Sequence, residues 1–305
     1  MRKSLLAITA GLAVVATPAA AQEAEDVFAE RGYALAMDDL CGLFTADQHD
    51  ALSVFYLQAR GALIRSGEDP GELDAYRQSL DIAAEEQGCQ SEHARLIYQR
   101  VNEGYAGYER LLSMDFPADV FSWEANSPTG LAPIEWLAHQ VAAPVEAGLA
   151  LINGELEFVV NLPQRTGVIS AVLVVRDMRR EPALYDPTVG GLYPQPETAP
   201  WLRWSAPDYA RELIWSRGRL DTTTAQFLDP ATDRQLFRFT VADAERVAER
   251  DPREAARIDL LDRRGERIAS YYFEIGDLGA AIAFVRSRAH LNSVETSNTS
   301  SGATR

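Results

Sequence analysis

The chain is 305 residues long, 47% hydrophobic and 24% charged, with 45 Asp/Glu against 29 Lys/Arg and a formal net charge of −16. That composition belongs to a packed globular protein. The negative charge argues against nucleic acid or an anionic membrane surface as partner, because phosphate binding needs clustered positive charge. Lys3 is the only lysine, so Schiff-base chemistry, a Ser–Lys dyad and a P-loop are excluded from the rest of the chain.

Residues 1–21 read as a signal peptide. Arg2 and Lys3 make a positive start, an apolar run covers Leu5 to Ala16, and Ala19-Ala20-Ala21 fits the small-x-small rule for cleavage before Gln22. The run is too short to span a bilayer, and no Cys follows it to carry a lipid. The expectation is an exported, periplasmic protein without an integral membrane span. Cleavage after Ala21 leaves 284 residues with a net charge of −18, a length that suits two domains.

Two cysteines remain, Cys41 and Cys89, and in an oxidising compartment such a pair reads as one structural disulfide. Closing a loop of roughly 50 residues stabilises the fold by about 4 kcal/mol in the chain-entropy picture. A reactive pair would want Cys-x-x-Cys spacing or positive surroundings, whereas Asp38, Asp39, Glu85 and Glu86 are the sequence neighbours here.

Residues 22–116 predict an acidic four-helix domain with 19 Asp/Glu and 7 Arg, a net of −12; such charge on amphipathic helices forms solvated faces. A first helix covers about 25–43. Thr45 and Gln48 form a capping box that opens a second, with Leu52, Phe55, Tyr56, Ala59 and Leu63 on one face and an end near Gly67. Asp69-Pro70-Gly71-Glu72 opens a third, presenting Leu73, Tyr76, Leu80, Ala83 and Ala84 and stopping at Gly88. Ser91-Glu92 opens the fourth, with Leu96, Ile97, Val101, Tyr105, Tyr108, Leu111 and Leu112 on its buried stripe, ended by Phe116-Pro117. A Cys41–Cys89 bond would staple the first helix to the turn between the third and fourth.

The early Cys41, the Gly88-Cys89 pair, and Val101-Asn-Glu-Gly-Tyr-Ala-Gly-Tyr108 on the last helix together resemble uncharacterised exported two-cysteine helical proteins of Gram-negative bacteria. The resemblance implies an exported, disulfide-stapled helical module and brings no catalytic residues.

Residues 117–290 predict a β-rich domain. Pro117, Pro128, Pro133 and Pro144 interrupt helical runs, and Asn153-Gly154 joins two alternating runs as a hairpin turn, since both positions need positive φ. Residues 168–176 predict a strand apolar on both faces, hence central. A long proline-bearing stretch covers 177–207. Strands are expected at 212–220, 223–228 and 235–241, then a short helix at 242–250, a hairpin of 257–261 with 267–274, and a final helix from Asp277 to about Arg286. Residues 291–305 predict a disordered tail. Strands in runs with few helices indicate an α+β fold with a mainly antiparallel, sandwich-like β-rich domain.

Functional chemistry is sparse. His49, His93, His139 and His290 lie far apart, without metal-ligand spacing, so no catalytic residue, metal site or cofactor is predicted. His139 follows Glu135 and Trp136, and on a helix Glu135 would sit one turn before it and orient the imidazole. Glu124 and Glu135, beside Trp123 and Trp136, are the candidate carboxylate pair for glycoside hydrolysis. All five tryptophans lie within 120–215. Among them Trp201 and Trp204, with Arg203 between, are the candidate binding residues, because Trp and Arg dominate contact energies. The leading expectation is a non-enzymatic module that contacts an envelope protein through 186–204. The alternatives are a peptidoglycan- or glycan-binding protein or hydrolase, and a small-ligand carrier using the β-rich half.

Overall fold

The computed structural model describes residues 18–129, 132, 134–184, 207–220, 228 and 234–289. The helical region comprises α1 (Pro18–Cys41), α2 (Ala46–Ser66), α3 (Pro70–Gln87) and α4 (Glu92–Tyr108). Its boundaries follow local chemistry. Thr45 and Gln48 close the capping box reciprocally, and Gly67 ends α2 in the left-handed conformation at φ 112°. The Asp69 carboxylate accepts from Gly71 and Glu72 ahead of α3, and the Ser91 hydroxyl accepts from the Ala94 amide ahead of α4. Cys41 and Cys89 are bonded, with Cα atoms 5.5 Å apart. The bond joins the end of α1 to the turn before α4.

One expectation fails here. Helix α4 stops at Tyr108, short of Phe116, and Leu111 and Leu112 are 38% and 78% exposed. The cause is tertiary. Arg288 donates to the carbonyls of Tyr108 and Glu109, taking the acceptors a longer helix would use. The chain then turns, and Leu112 accepts from Ser127 as β1 begins.

Eleven strands are described: β1 (Ser113–Pro117), β2 (Ser122–Asn126), β3 (Ile134–Ala142), β4 (Val145–Ile152), β5 (Glu155–Pro163), β6 (Ser170–Arg176), β7 (Arg211–Trp215), β8 (Gly218–Arg219), β9 (Arg234–Phe239), β10 (Ala255–Leu261) and β11 (Arg267–Glu274). Two antiparallel sheets result, one ordered β1-β2-β3-β4-β5-β9-β8 and the other β11-β10-β6-β7. The protein is therefore α+β, a disulfide-stapled helical region followed by antiparallel sheets. Asn153 and Gly154 turn β4 into β5 at φ 52° and 88°, as the sequence predicts. Strand β6 runs between β10 and β7 with Ala171–Val175 buried throughout, which explains why it is apolar on both faces. Phe273 of β11 meets Phe158 of β5 and Trp123 of β2, each at 5.8 Å between ring centres, so the sheets share a core.

Two further helices complete the fold, α5 (Val241–Ala248) and α6 (Leu278–Ala289). Leu278, Ala280, Ala281, Ile282, Ala283, Phe284 and Val285 are all buried, so α6 is covered over most of its surface, with Arg286 left exposed. It packs on α2 as well as on β1, β2 and β3. One continuous core contains Ala51 and Val54 of α2, Tyr108 of α4, most of α6 and the inner faces of both sheets. Apolar burial thus runs across residue 116, where the sequence placed a boundary.

Both ends of α6 are tied to the helical region. At its start the Asp277 carboxylate, 1% exposed, accepts two bonds from Arg65 at the end of α2, at 2.6 and 2.9 Å. Gly61 makes this approach possible, since a Cβ there would stand 1.9 Å from Asp277 Oδ1. At its end Arg288, 1% exposed, lies over the Tyr108 ring at 4.4 Å while bonding the end of α4. Ser287 and the Tyr108 hydroxyl are 2.6 Å apart. Among the described residues, no helix is long and apolar enough to cross a membrane.

Two outcomes are expected. Arg65→Ala strands the Asp277 carboxylate in the core and lowers stability by about 3–5 kcal/mol in urea unfolding; a loss below 1 kcal/mol would show that the pair does not anchor α6. On the unreduced protein a thiol-blocking reagent adds no mass, and after reduction it adds two adducts, one each at Cys41 and Cys89.

Candidate functional site

A cavity of ligand size lies in the helical region. Glu30 and Arg31 of α1, Gln48, Ala51, Leu52 and Phe55 of α2, and Arg100, Val101, Gly104, Tyr105, Gly107 and Tyr108 of α4 line an open cleft of about 460 Å³. That volume falls within the range of roughly 300–1,000 Å³ typical of ligand pockets. Ala51, Leu52, Phe55 and Val101 give it an apolar wall, and Glu30, Arg31, Gln48, Arg100, Tyr105 and Tyr108 add polar groups.

Helix α4 packs on α1 and α2 through Ala94, Ile97 and Val101. Gln48 donates to the side-chain Oδ1 of Asn102 at 2.8 Å, and this bond joins α2 to α4. At the far end Tyr108 is fixed by Ser287 and Arg288. Between these anchors sit Gly104 and Gly107, and both line the cleft. A Cβ at Gly104 would meet nothing within 4 Å, and one at Gly107 would only graze Arg110 at 4.0 Å. Each helical glycine costs about 0.5–1 kcal/mol relative to alanine, and no close packing recovers that cost here. What the two glycines preserve is open space.

Tyr105, also lining the cleft, has its phenol pushed up to about 12, first by burial and then by the nearby Asp47 and Glu109 carboxylates. It stays a neutral hydroxyl at any physiological pH. Burial likewise raises Tyr108. The polar lining therefore offers uncharged hydroxyl and amide groups together with one carboxylate, Glu30, and two guanidinium groups, Arg31 and Arg100.

A smaller cavity of about 160 Å³ lies beside the β3–β4 turn, lined by Phe121, Ala142, Ala143, Pro144, Val145 and Glu274 among others. Glu274 is 2% exposed. Its Oε2 accepts from the Val120 and Phe121 amides at 3.0 and 2.9 Å, while Oε1 has no partner. Burial raises its pKa, outweighing the two amide bonds and the more distant Arg65. Asp277 and Glu254 are also raised by burial, each against a paired arginine, Arg65 and Arg176 respectively.

The residues singled out from sequence do not converge. Trp201, Arg203 and Trp204 lie outside the described residues, as does His290. Leading toward that segment, Arg176 pairs with Glu254 at 2.7 Å and donates to the carbonyls of Glu181, Pro182 and Ala183. His139 is not on a helix. It sits in β3, where the alternating pattern of Ile134–Ala142 and pairing with β2 and β4 override the helical reading. Its Nε2 faces Glu146 at 3.8 Å, while Glu135 accepts instead from the Thr129 hydroxyl at 2.7 Å. Glu124 is exposed and stands opposite His139 across the β2–β3 ladder; Glu124 and Glu135 share no bridging contact. Trp123 is fully buried and donates to the Ile275 carbonyl at 2.9 Å. Trp136 is half-buried and donates to Leu228, and Trp215 is exposed at the β7 edge. Among the described residues, no three His, Cys, Asp or Glu side chains gather to hold a metal.

No family model, curated protein or solved structure matches the chain.

The cleft residues were visible in the sequence only as helix positions. Gly104 and Gly107 in the interior of α4 were the one available signal, because mid-helix glycine is unfavourable. Whether such a glycine serves close packing or open space is a tertiary fact.

Gly104→Ala is expected to raise stability by about 0.5–1 kcal/mol in urea unfolding; destabilisation would show that the glycine is needed for packing. Glu274 makes a pH-dependent contribution. A carboxyl whose folded pKa is raised stabilises the fold below its unfolded value of 4.5, and this contribution disappears as pH rises through the folded value. The stability of Glu274→Gln relative to wild type should therefore increase from pH 4 to pH 8, read from paired urea midpoints. A pH-independent difference would mean Glu274 titrates alike in both states.

Proposed function

We propose that the chain is an exported periplasmic binding protein whose ligand is a small amphipathic molecule seated between α1, α2 and α4. The single observation that carries this reading is the cleft of about 460 Å³ lined by apolar and polar side chains together. The α4 glycines support it, being costly residues that leave space rather than fill it. Export is supported by the charged start, the short apolar run and the small-residue cleavage site of residues 1–21. The Cys41–Cys89 bond is compatible with an oxidising compartment.

The carrier reading thus favours the helical region over the β-rich half. The cavity beside Glu274 holds about 160 Å³, below the usual range of roughly 300–1,000 Å³ for small-molecule sites. Contact with an envelope protein or glycan through 186–204 rests on the composition of that segment alone.

N-phenyl-1-naphthylamine, a neutral apolar dye, should bind one equivalent with a rise in fluorescence. Gly104→Phe, whose side chain enters open space, should reduce its affinity at least tenfold while leaving the unfolding midpoint within a few degrees. Undiminished binding in that variant would place the site elsewhere, and no binding to wild type would end the reading.

A further inference from the structure

The charge of the cleft is opposite to that of its surroundings. Residues 22–116 carry a net of −12, yet the charged groups lining the cleft are two arginines and one glutamate. Three other arginines of the helical region are engaged by carboxylates: Arg60 by Asp74 at 2.7 Å, Arg65 by Asp277 at 2.6 Å, and Arg77 by Asp39 at 3.0 Å and by Asp81. The two at the cleft are not so engaged. Arg100 makes no ion pair or hydrogen bond among the described residues. Arg31 reaches Glu30 only at 3.6 Å, and its Nε is buried without an acceptor. Both side chains line the cleft, Arg100 exposed and Arg31 about one-third exposed, so their guanidinium groups are open to an incoming anion.

We infer that the ligand is a monocarboxylate with an apolar tail, its carboxylate held by Arg31 and Arg100. This rests on the reading of the cleft as the ligand site. The guanidinium fork suits a planar two-oxygen anion. A single negative charge is specified, because Glu30 lines the same cleft and Asp47, Asp50 and Glu109 stand close enough to act on Tyr105 and Tyr108. A dianion such as a phosphate monoester would meet those carboxylates. The tail lies along Leu52, Phe55, Val101 and Tyr108, away from water.

The test compares three probes of one chain length, decanoate, decanol and decylammonium, by titration calorimetry on the protein spanning residues 22–305 with its disulfide intact. Decanoate should bind at least tenfold more tightly than decanol, and decylammonium more weakly than both. Added salt should weaken decanoate selectively. In Arg31→Gln/Arg100→Gln the advantage of decanoate over decanol should fall below threefold. The decanol titration in the same variant reports whether the cleft is still formed. Equal affinities for decanoate and decanol, both lost in Gly104→Phe, would overturn the anion inference and leave the cleft as an apolar site. Tighter binding of decylammonium would overturn it in favour of a cationic ligand. If none of the three binds and N-phenyl-1-naphthylamine also fails, the cleft reading itself falls.

Discussion

A twelve-residue helix, Leu278–Ala289, is buried between the α2 side and the sheets, and the architecture is organised around it. A helix covered over most of its surface gains from apolar burial along its length, but at its two ends backbone groups and charges must find partners away from water. Here each end is closed by an arginine pairing across the molecule. Arg65 of α2 meets Asp277 at the start, and Arg288 at the end reaches the last carbonyls of α4. These contacts join residues about 180 to 212 positions apart in sequence. They tie α2 and α4 to the cluster of apolar residues that α6 shares with the inner faces of the sheets, while the helices keep apolar clusters of their own.

The cleft is a consequence of that arrangement. Helix α2 is committed on one side to α1 and on another to α6, with far more extensive contact than it makes with α4. Helix α4 is held at Gln48–Asn102 and at Tyr108, and its interior glycines withdraw bulk from the space between. Packed on α1 and α2 through Ala94, Ile97 and Val101 and thinned at Gly104 and Gly107, α4 leaves a gap of ligand size toward its end. The arginines at its edge lie within an acidic region where most carboxylates face water.

Much of this was legible from local chemistry. The capping residues Thr45, Asp69 and Ser91 each work as their positions suggest, because a cap is decided within four residues. The Asn153-Gly154 turn and the 257–274 hairpin are equally local. Three features were not legible. The early end of α4 depends on Arg288, and the strand β3 depends on its neighbours β2 and β4 more than on the Glu135–His139 spacing. The cleft depends on which glycine faces open space. Trp123, a candidate for sugar stacking by composition, is instead a core residue whose indole donor is satisfied by Ile275.

By itself the sequence determined the four amphipathic helices, the antiparallel character of the second half, the pairing of its two cysteines and the acidic surface. All of these follow from periodicity, caps, turns and composition, which act over a few residues. The tertiary structure decided where α4 ends, how α6 ties the two halves together, and that a cleft with two under-engaged arginines stands beside α4. These depend on groups brought together from distant positions, and burial converts such meetings into large energies. A carboxylate such as Asp277 is unremarkable in the sequence. Buried against Arg65, 212 positions away, it fixes where α6 begins.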